Sequence, residues 1–76
     1  MNAMAQSLTA YMQRRQAEQE LFTARRALTH LVQIYDSGQW RRFYREEVFI
    51  DAVQKAREAV DYWTTALGQL GGEAAR

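Results

Sequence analysis

Seven apolar residues in the second half of the chain recur at alternating steps of four and three. They are Phe49, Val53, Ala56, Val60, Trp63, Leu67 and Leu70. This spacing places them on one stripe of an α-helix and matches a heptad seam, so it predicts a helix over residues 46–70. Glu46 and Glu47 at its start suit the positive end of the helix dipole.

The first half of the chain repeats the same alternation. Its stripe consists of Leu21, Ala24, Leu28, Leu31 and Tyr35, and Phe22 and Val32 widen it on one side. This pattern predicts a second helix, over residues 5–36, that faces the first. Residues 13–20 offer only Ala17 to a core, but nothing in them breaks a helix. We therefore expect a continuous helix whose first turns overhang the hairpin by tens of ångströms, at about 1.5 Å per residue.

Glycines mark where the helices are expected to end. Gly38 is predicted to stop the first helix, and Gly68 or the Gly71-Gly72 pair the second, because glycine accepts the left-handed geometry of a C-cap. The chain contains no proline, so the strongest helix breaker is absent. The sequence thus predicts an all-α fold, an antiparallel two-helix hairpin.

The predicted organisation is one domain. Residues 1–76 form a single helical hairpin with a helix over 5–36, a turn over 37–45, a helix over 46–70 and a flexible tail over 71–76. A domain of 76 residues buries a smaller fraction of its surface on folding than a larger domain does, so its own core is marginal. We therefore expect the hairpin to be stabilised by oligomerisation or by another partner.

Charge is distributed unevenly along the chain. Residues 1–45 hold seven arginines and three acidic residues, a net charge of +4, whereas residues 46–76 hold three basic and six acidic residues, a net charge of −3. Two interpretations follow. Either the two helices attract each other within the hairpin, or the basic half offers a face to an acidic partner.

The segment between the helices combines three aromatic residues with three arginines. These are Trp40, Arg41, Arg42, Phe43, Tyr44 and Arg45. Trp, Tyr and Arg dominate interface energetics, so this turn is the first candidate for partner binding. The alternative is a structural lid of aromatic rings over the open end of the hairpin. The arginines favour recognition, because a lid does not require groups that pair with carboxylates or phosphates.

A second candidate contact lies near the start of the chain. Leu8, Tyr11 and Met12 form a short apolar patch upstream of the predicted seam. If the first turns of the helix overhang the hairpin, this patch has no cover within its own chain. We expect it to contact another copy or another protein.

Enzymatic chemistry is not indicated. The chain has two serines, Ser7 and Ser37, one histidine, His30, and no cysteine. It shows no glycine-rich phosphate loop, paired carboxylates or metal-ligand cluster. Asp51 and Asp61 lie ten residues apart without further ligands nearby. The sequence therefore predicts a protein that is not an enzyme, with no catalytic, cofactor-binding or metal-binding residues and no cofactor.

Targeting features are also missing from the sequence. The first thirteen residues lack a basic region and are interrupted by polar residues, and no apolar run approaches the roughly 18 residues of a membrane span. We expect a cytoplasmic or virion-associated protein that is neither secreted by a signal peptide nor transmembrane, and that has no membrane partner.

Nucleic acid is a secondary candidate partner. The chain contains three Arg-Arg pairs, Arg14-Arg15, Arg25-Arg26 and Arg41-Arg42, which could neutralise phosphates, while aromatic residues could stack on bases. However, the overall charge is only +1, and no helix-turn-helix, zinc-finger or RNA-recognition signature is present.

Two family resemblances add to this interpretation. The first is carried by Glu20-Leu21, Ala24-Arg25, Ala27-Leu28 and Leu31, followed by the glycine turn and Arg42-Phe43-Tyr44. Over most of residues 18–70 the chain resembles the small W-type head-to-tail joining proteins of tailed bacteriophages. The resemblance implies a ring-forming, non-enzymatic connector beneath a capsid portal, with basic residues near DNA or neighbouring subunits. It also implies a two-stranded hairpin between the helices, for which residues 39–45 are short.

The second resemblance is denser. Its residues are Gly38, Trp40, Arg41, Arg42, Tyr44, Phe49, Ala56, Ala59, Val60 and Trp63, which are similar to a segment of a small uncharacterised family of alphaproteobacterial proteins. It implies a helical hairpin with a shared aromatic-arginine turn and no particular function.

The sequence as a whole favours a chain that binds other protein chains, in a homo-oligomer or a larger assembly. It could be a phage connector subunit. The alternatives are a small helical adaptor or accessory subunit, and a nucleic-acid-binding protein.

Overall fold

Three helices follow one another along the chain. The computed structural model describes the backbone of residues 2–74 and the side chains of residues 5–70. The helices are α1 (Asn2–Asp36), α2 (Trp40–Phe43) and α3 (Glu46–Ala74). The described part of the chain contains no strand, and the all-α class is confirmed. The molecule is a rod with dimensions of 56 × 20 × 18 Å.

A single seam between α1 and α3 forms the core. Its buried residues are Ala17, Leu21, Ala24, Leu31 and Ile34 of α1, and Phe49 and Ala56 of α3. The remaining residues of the predicted α3 stripe are half-buried. Leu31 and Ile34 pack in one cluster with Phe49 and Ala56, whereas Ala17 lies with Trp63 at the other end of the seam. The two long helices therefore run antiparallel.

The last turn of α1 differs from the predicted stripe. Tyr35 was expected in the seam but is 59% exposed, and Ile34, which the alternation omits, is 7% exposed. At this end of the hairpin Trp40 and Tyr44 also pack against the cluster. Ile34 is thus enclosed by more than α3 alone, while Tyr35 lies on the outside.

The predicted widening of the α1 stripe is also wrong. Phe22 is 62% exposed and Val32 is 47% exposed. In a hairpin of two helices only one side of α1 faces a neighbour. Residues one position beyond the seam therefore stay in solvent, although they would be buried in a larger bundle.

The overhang of α1 is much shorter than predicted. Ala17 is only 2% exposed, and Gln13 lines the same surface hollow as Leu70, so α3 continues alongside residues 13–20. The two long helices differ by six residues, 35 against 29, or about 9 Å at 1.5 Å per residue. Ala17 is the one apolar residue that residues 13–20 contribute to this part of the seam.

The C-terminal glycines do not end α3. The predicted stops were Gly68 and Gly71-Gly72, but α3 runs through them to Ala74, so the tail predicted over 71–76 begins inside the helix. A glycine in a helix interior costs only about 1 kcal/mol, and Leu67 and Leu70 still face the seam. The last two residues of that predicted tail, 75 and 76, lie outside the described residues.

Gly38 reverses the chain after α1, as predicted. It has a φ of +78°. The N–H of Gly38 donates to the carbonyl of Tyr35 at 3.1 Å, and the N–H of Ser37 donates to the carbonyl of Gln33 at 3.1 Å. The hydroxyl of Ser37 donates to the carbonyl of Ile34 at 3.3 Å and accepts from the N–H of Gln39 at 3.4 Å. These bonds satisfy backbone groups that the end of a helix would leave unpaired.

Charge pairing contributes little to the seam. Among the described residues the one ion pair joins Lys55 Nζ to Asp51 Oδ2 at 3.1 Å, and both groups belong to α3 and are exposed. The excess positive charge of the first half is therefore not bonded to the negative charge of α3 across the seam. Within the same part of the chain, no helix combines the length and the apolar content needed to cross a membrane.

The positive φ of Gly38 leads to a stability prediction. Replacing Gly38 by alanine should lower the free energy of unfolding by about 1 kcal/mol, since a Cβ is strained in this conformation although no atom lies within 4 Å of it. Urea denaturation followed by circular dichroism measures the change.

Gly68 is the matched control, because it also has open space around its Cβ position but lies inside α3. Gly68→Ala should raise the free energy of unfolding by about 0.5–1 kcal/mol. Equal effects of the two substitutions would contradict the assignment of Gly38 as the reversing residue.

Candidate interaction surface

Four aromatic rings close the turn end of the hairpin. Phe49, 5% exposed, lies at the centre, with ring centroids 4.9 Å from Trp40, 5.5 Å from Tyr44 and 6.1 Å from Tyr35. The Tyr35 and Trp40 centroids are 6.4 Å apart. Such pairs stabilise by about 0.5–1.5 kcal/mol beyond the area they bury. We call these four residues the aromatic cap.

The short helix α2 divides the aromatic-arginine segment between two sides. The N–H of Tyr44 donates to the carbonyl of Trp40 at 2.9 Å, and residues four apart on a helical turn share a side. Trp40 and Tyr44 are accordingly both half-buried and pack against the core. They provide the cover that a lid requires.

The other residues of this segment are in solvent. Phe43 is 69% exposed, and Arg41, Arg42 and Arg45 are also exposed. The guanidinium carbon of Arg41 lies 5.4 Å from the centroid of the Trp40 ring, within the range of a cation–π contact. We call Arg41, Arg42, Phe43 and Arg45 the turn surface. It consists of one exposed aromatic ring and three exposed arginines that lie within two residues of it along the chain, next to the aromatic cap.

An apolar groove of about 650 Å³ adjoins the turn surface. The exposed side chains in its lining include Val32 and Tyr35 of α1 and Ile50 of α3. Arg41 and Glu46 line it at the turn end, and Arg57 lines it further along α3. The groove therefore has an apolar base, and its lining also includes charged residues.

Sequence reasoning missed most of this groove. Val32 was assigned to the core and Ile50 to no role, although each follows a buried residue, Leu31 and Phe49. In a two-helix hairpin the positions directly after the seam lie beside it. An apolar residue at such a position in both helices is the signal that could have indicated the groove.

The N-terminal patch is exposed as expected and lies far from the turn. Leu8 is 58% exposed, and Tyr11 and Met12 are each 59% exposed. Tyr11 precedes Tyr35 by 24 residues, about 36 Å along a helix. The structure therefore joins the turn surface to the groove but does not bring the N-terminal patch to either of them within one chain.

Metal chemistry has no visible basis in this surface. Within the described residues, His, Asp and Glu side chains form no group of three or more that could hold an ion. His30, the one histidine, is exposed on α1. The surface offers arginine guanidinium groups, aromatic faces and aliphatic side chains.

Comparison with known proteins identifies the family. The chain matches the family of the conserved hypothetical protein CHP03809 over residues 14–74. It belongs to that family. The matched range starts one turn before Ala17 and ends with α3, so it contains the whole seam, the aromatic cap and the turn surface, but not Leu8, Tyr11 or Met12. No curated protein and no solved structure matches the chain significantly.

This membership bears on the two resemblances seen in the sequence. The second resemblance was to a small uncharacterised family, and the matched family of conserved hypothetical proteins is of that kind. The match provides no link to bacteriophage joining proteins.

Packing of Trp40 on Phe49 leads to a prediction about stability. Trp40→Ala should lower the free energy of unfolding by about 2 kcal/mol, less than for a fully buried tryptophan because Trp40 is half-buried. Chemical denaturation at a fixed protein concentration measures this effect.

Phe43→Ala serves as the control from the same short helix. Its ring is 69% exposed, so the substitution should change the free energy of unfolding by less than about 0.5 kcal/mol. A loss at Phe43 as large as that at Trp40 would contradict the division of the segment into a buried and an exposed side.

Proposed function

We propose that this chain is a non-enzymatic protein-interaction module that works by assembling with other protein chains. One observation carries the proposal. The described residues include ten large apolar side chains that are 47–69% exposed, whereas the buried core has seven residues, three of them alanine. Single exposed apolar residues are ordinary, but ten exposed large apolar side chains against four that are fully buried favour a partner.

The turn surface is the part of the molecule best suited to a protein partner. Phe43 is exposed, three exposed arginines lie within two residues of it along the chain, and aromatic residues and arginine are enriched in protein interfaces. Arginine forms bidentate bonds with carboxylates. The chemistry that fits is an acidic surface with an apolar pocket for the Phe43 ring.

This function can take several forms. A subunit of a ring, as the phage resemblance implies, would use the exposed surface to contact identical neighbours, whereas an adaptor or accessory subunit would use it on a different protein. The solution mass separates the forms, because a particle of many copies indicates a ring. The described residues lack the strands that phage joining proteins place between their helices, so we favour the adaptor form.

Nucleic acid binding is the second candidate function. Five of the six arginines in the three Arg-Arg pairs are exposed, which supports this candidate. They are Arg15, Arg25, Arg26, Arg41 and Arg42. Binding that rests on phosphate neutralisation weakens steeply with added salt. Affinity for a DNA or RNA duplex that falls by orders of magnitude between about 50 and 200 mM salt would indicate this function instead.

A photo-crosslinking experiment tests the proposal. A photoreactive phenylalanine analogue placed at Phe43 in the native cell should form an adduct with a specific protein, because this ring is exposed and central in the turn surface. Replacing Arg41 and Arg42 together by glutamate should remove that adduct, since it inverts the charge offered to the partner.

The same analogue at Tyr62 is the matched control. Tyr62 is 64% exposed but lies on α3, away from the turn. Adducts at Phe43 no more specific than those at Tyr62 would contradict the proposal, and an adduct that nuclease removes would favour nucleic acid.

A further inference from the structure

The apolar groove runs along one side of the hairpin for about three helical turns. Its exposed apolar side chains, Val32, Tyr35 and Ile50, are 47–59% exposed. On α3 its lining extends from Glu46 to Arg57, which are eleven residues apart, or about 16 Å along a helix. An apolar surface of this length is enough for three turns of another helix to lie against.

Two arginines stand on the same side of the hairpin, at the end of the groove that is distant from the turn. Val32 and Ile50 each directly follow a buried residue of the seam, and so do Arg25 and Arg57, seven residues away on the same helices. Seven residues make almost two full turns, so Arg25 lies below Val32 and Arg57 below Ile50. Because the helices are antiparallel, both steps lead away from the turn. Arg57 lines the groove, and Arg25 extends the same side of α1.

The two ends of the groove differ in charge. At the turn end Arg41 and Glu46 both line it, so the two signs balance. At the distant end Arg25 and Arg57 are exposed, and within residues 5–70 neither belongs to an ion pair, although Asp61 lies one turn beyond Arg57. Guanidinium groups bind carboxylates. The distant end therefore favours a partner that brings an acidic residue.

These features determine the kind of partner segment that fits. We propose that the groove binds an amphipathic helix of another protein, with its apolar side chains against Val32, Tyr35 and Ile50 and an acidic residue between Arg25 and Arg57. The inference rests on the proposed function, because it gives the form of the segment that an interaction module would bind.

A helix suits this groove better than an extended segment. Strand addition needs an exposed sheet edge that supplies main-chain hydrogen bonds, and the described residues contain no strand. A helix satisfies its own backbone and can place its apolar face in a groove. Docked here, it would convert the two-helix hairpin into a three-helix bundle, in which the positions beside the seam become covered.

The spacing of the groove residues sets the spacing expected in the partner. Ile50 and Arg57 are seven residues apart, about 10.5 Å along α3. The acidic residue of the partner helix should therefore stand about two turns from the apolar residue that contacts Ile50. Its other apolar residues should follow at steps of three or four, because these share one side of a helix.

The surface of the single chain leaves room for such an interface. A compact protein of 8.9 kDa exposes about 4,800 Å², whereas this chain exposes 6448 Å². The difference is about 1,600 Å², and a stable interface buries about 800 Å² from each partner. A docked helix can thus be covered by surface that a compact protein of this mass would not expose.

Selection of peptides on the full chain tests the chemistry of the partner. The probe is a displayed library of randomised 18-residue peptides. Selected sequences should share an apolar stripe at helical spacing and carry aspartate or glutamate about two turns from its centre. Enrichment of extended or proline-rich sequences, a stripe accompanied by lysine or arginine instead, or the absence of any binder would overturn the proposal.

Two exposed residues near the start of α3 provide matched variants for locating the binding site. Ile50 is 49% exposed and Val48 is 52% exposed, but only Ile50 lines the groove. Ile50→Asp should weaken binding of a selected peptide at least tenfold, and Val48→Asp less than twofold. Circular dichroism verifies that both variants remain helical. Equal losses, or no loss with Ile50→Asp, would reject the groove as the binding site.

Charge reversal tests the acidic end of the partner. Arg57→Glu should weaken binding of a selected peptide at least fivefold, and changing the acidic residue of the peptide to lysine should restore most of the loss. Lys55→Glu is the control, because Lys55 is an exposed cation of the same helix that does not line the groove. If both reversals weaken binding equally, net charge rather than the position of Arg57 is responsible, and the assigned carboxylate contact is wrong.

A second copy of the chain is the other occupant that these measurements detect. Light scattering gives the mass of the native chain and of Ile50→Asp. A native dimer that Ile50→Asp converts to a monomer would show that the groove serves self-association, and the proposal of a partner helix would be rejected.

This inference and the proposed function fail separately. Ile50→Asp should also reduce the photo-adduct formed at Phe43 in the cell, because the groove adjoins the turn surface. A specific adduct that Ile50→Asp leaves undiminished would retain the interaction module and reject the groove. Peptide binding that depends on Ile50, without any specific adduct at Phe43, would retain the groove and reject the turn surface as a partner site.

Discussion

A hairpin of two helices has only one seam, and this constraint governs the whole molecule. Each long helix can bury one narrow stripe against the other, and the remaining sides of both helices face solvent. The buried core consequently contains seven residues, three of them alanine. Alanine lets the helix axes approach closely but provides little apolar area, so the isolated hairpin is at the small end of what one core can stabilise.

Stability is concentrated at the turn end as a result. There the chain reverses at Gly38 and folds α2 back, so that Trp40 and Tyr44 pack with Tyr35 around Phe49. This cap adds a third element to a core that elsewhere has two. The same fold that buries Trp40 and Tyr44 leaves Phe43 and three arginines in solvent, so the structural lid and the candidate recognition surface are two sides of one short segment.

The alternation of apolar residues predicted much of the fold. It indicated both long helices and most of the seam, because a heptad pattern directly reflects which side of a helix is covered. It failed at Ile34, which the cap helps to enclose, and at Phe22 and Val32, which a larger bundle would bury. It also undervalued Ala17, since a lone alanine among polar residues carries a weak signal although it is the most buried residue of the seam.

By itself the sequence determined that the chain is helical, where it reverses, and which residue types stand at the turn. These properties depend on local preferences, that is, on the spacing of apolar residues, the conformational freedom of Gly38 and the absence of proline. Only the tertiary structure decided which aromatic residues of the turn are buried, that α3 continues through its glycines, and that Val32, Tyr35 and Ile50 share a groove. Those outcomes depend on what each side chain meets from distant parts of the chain, which a local pattern constrains but does not decide.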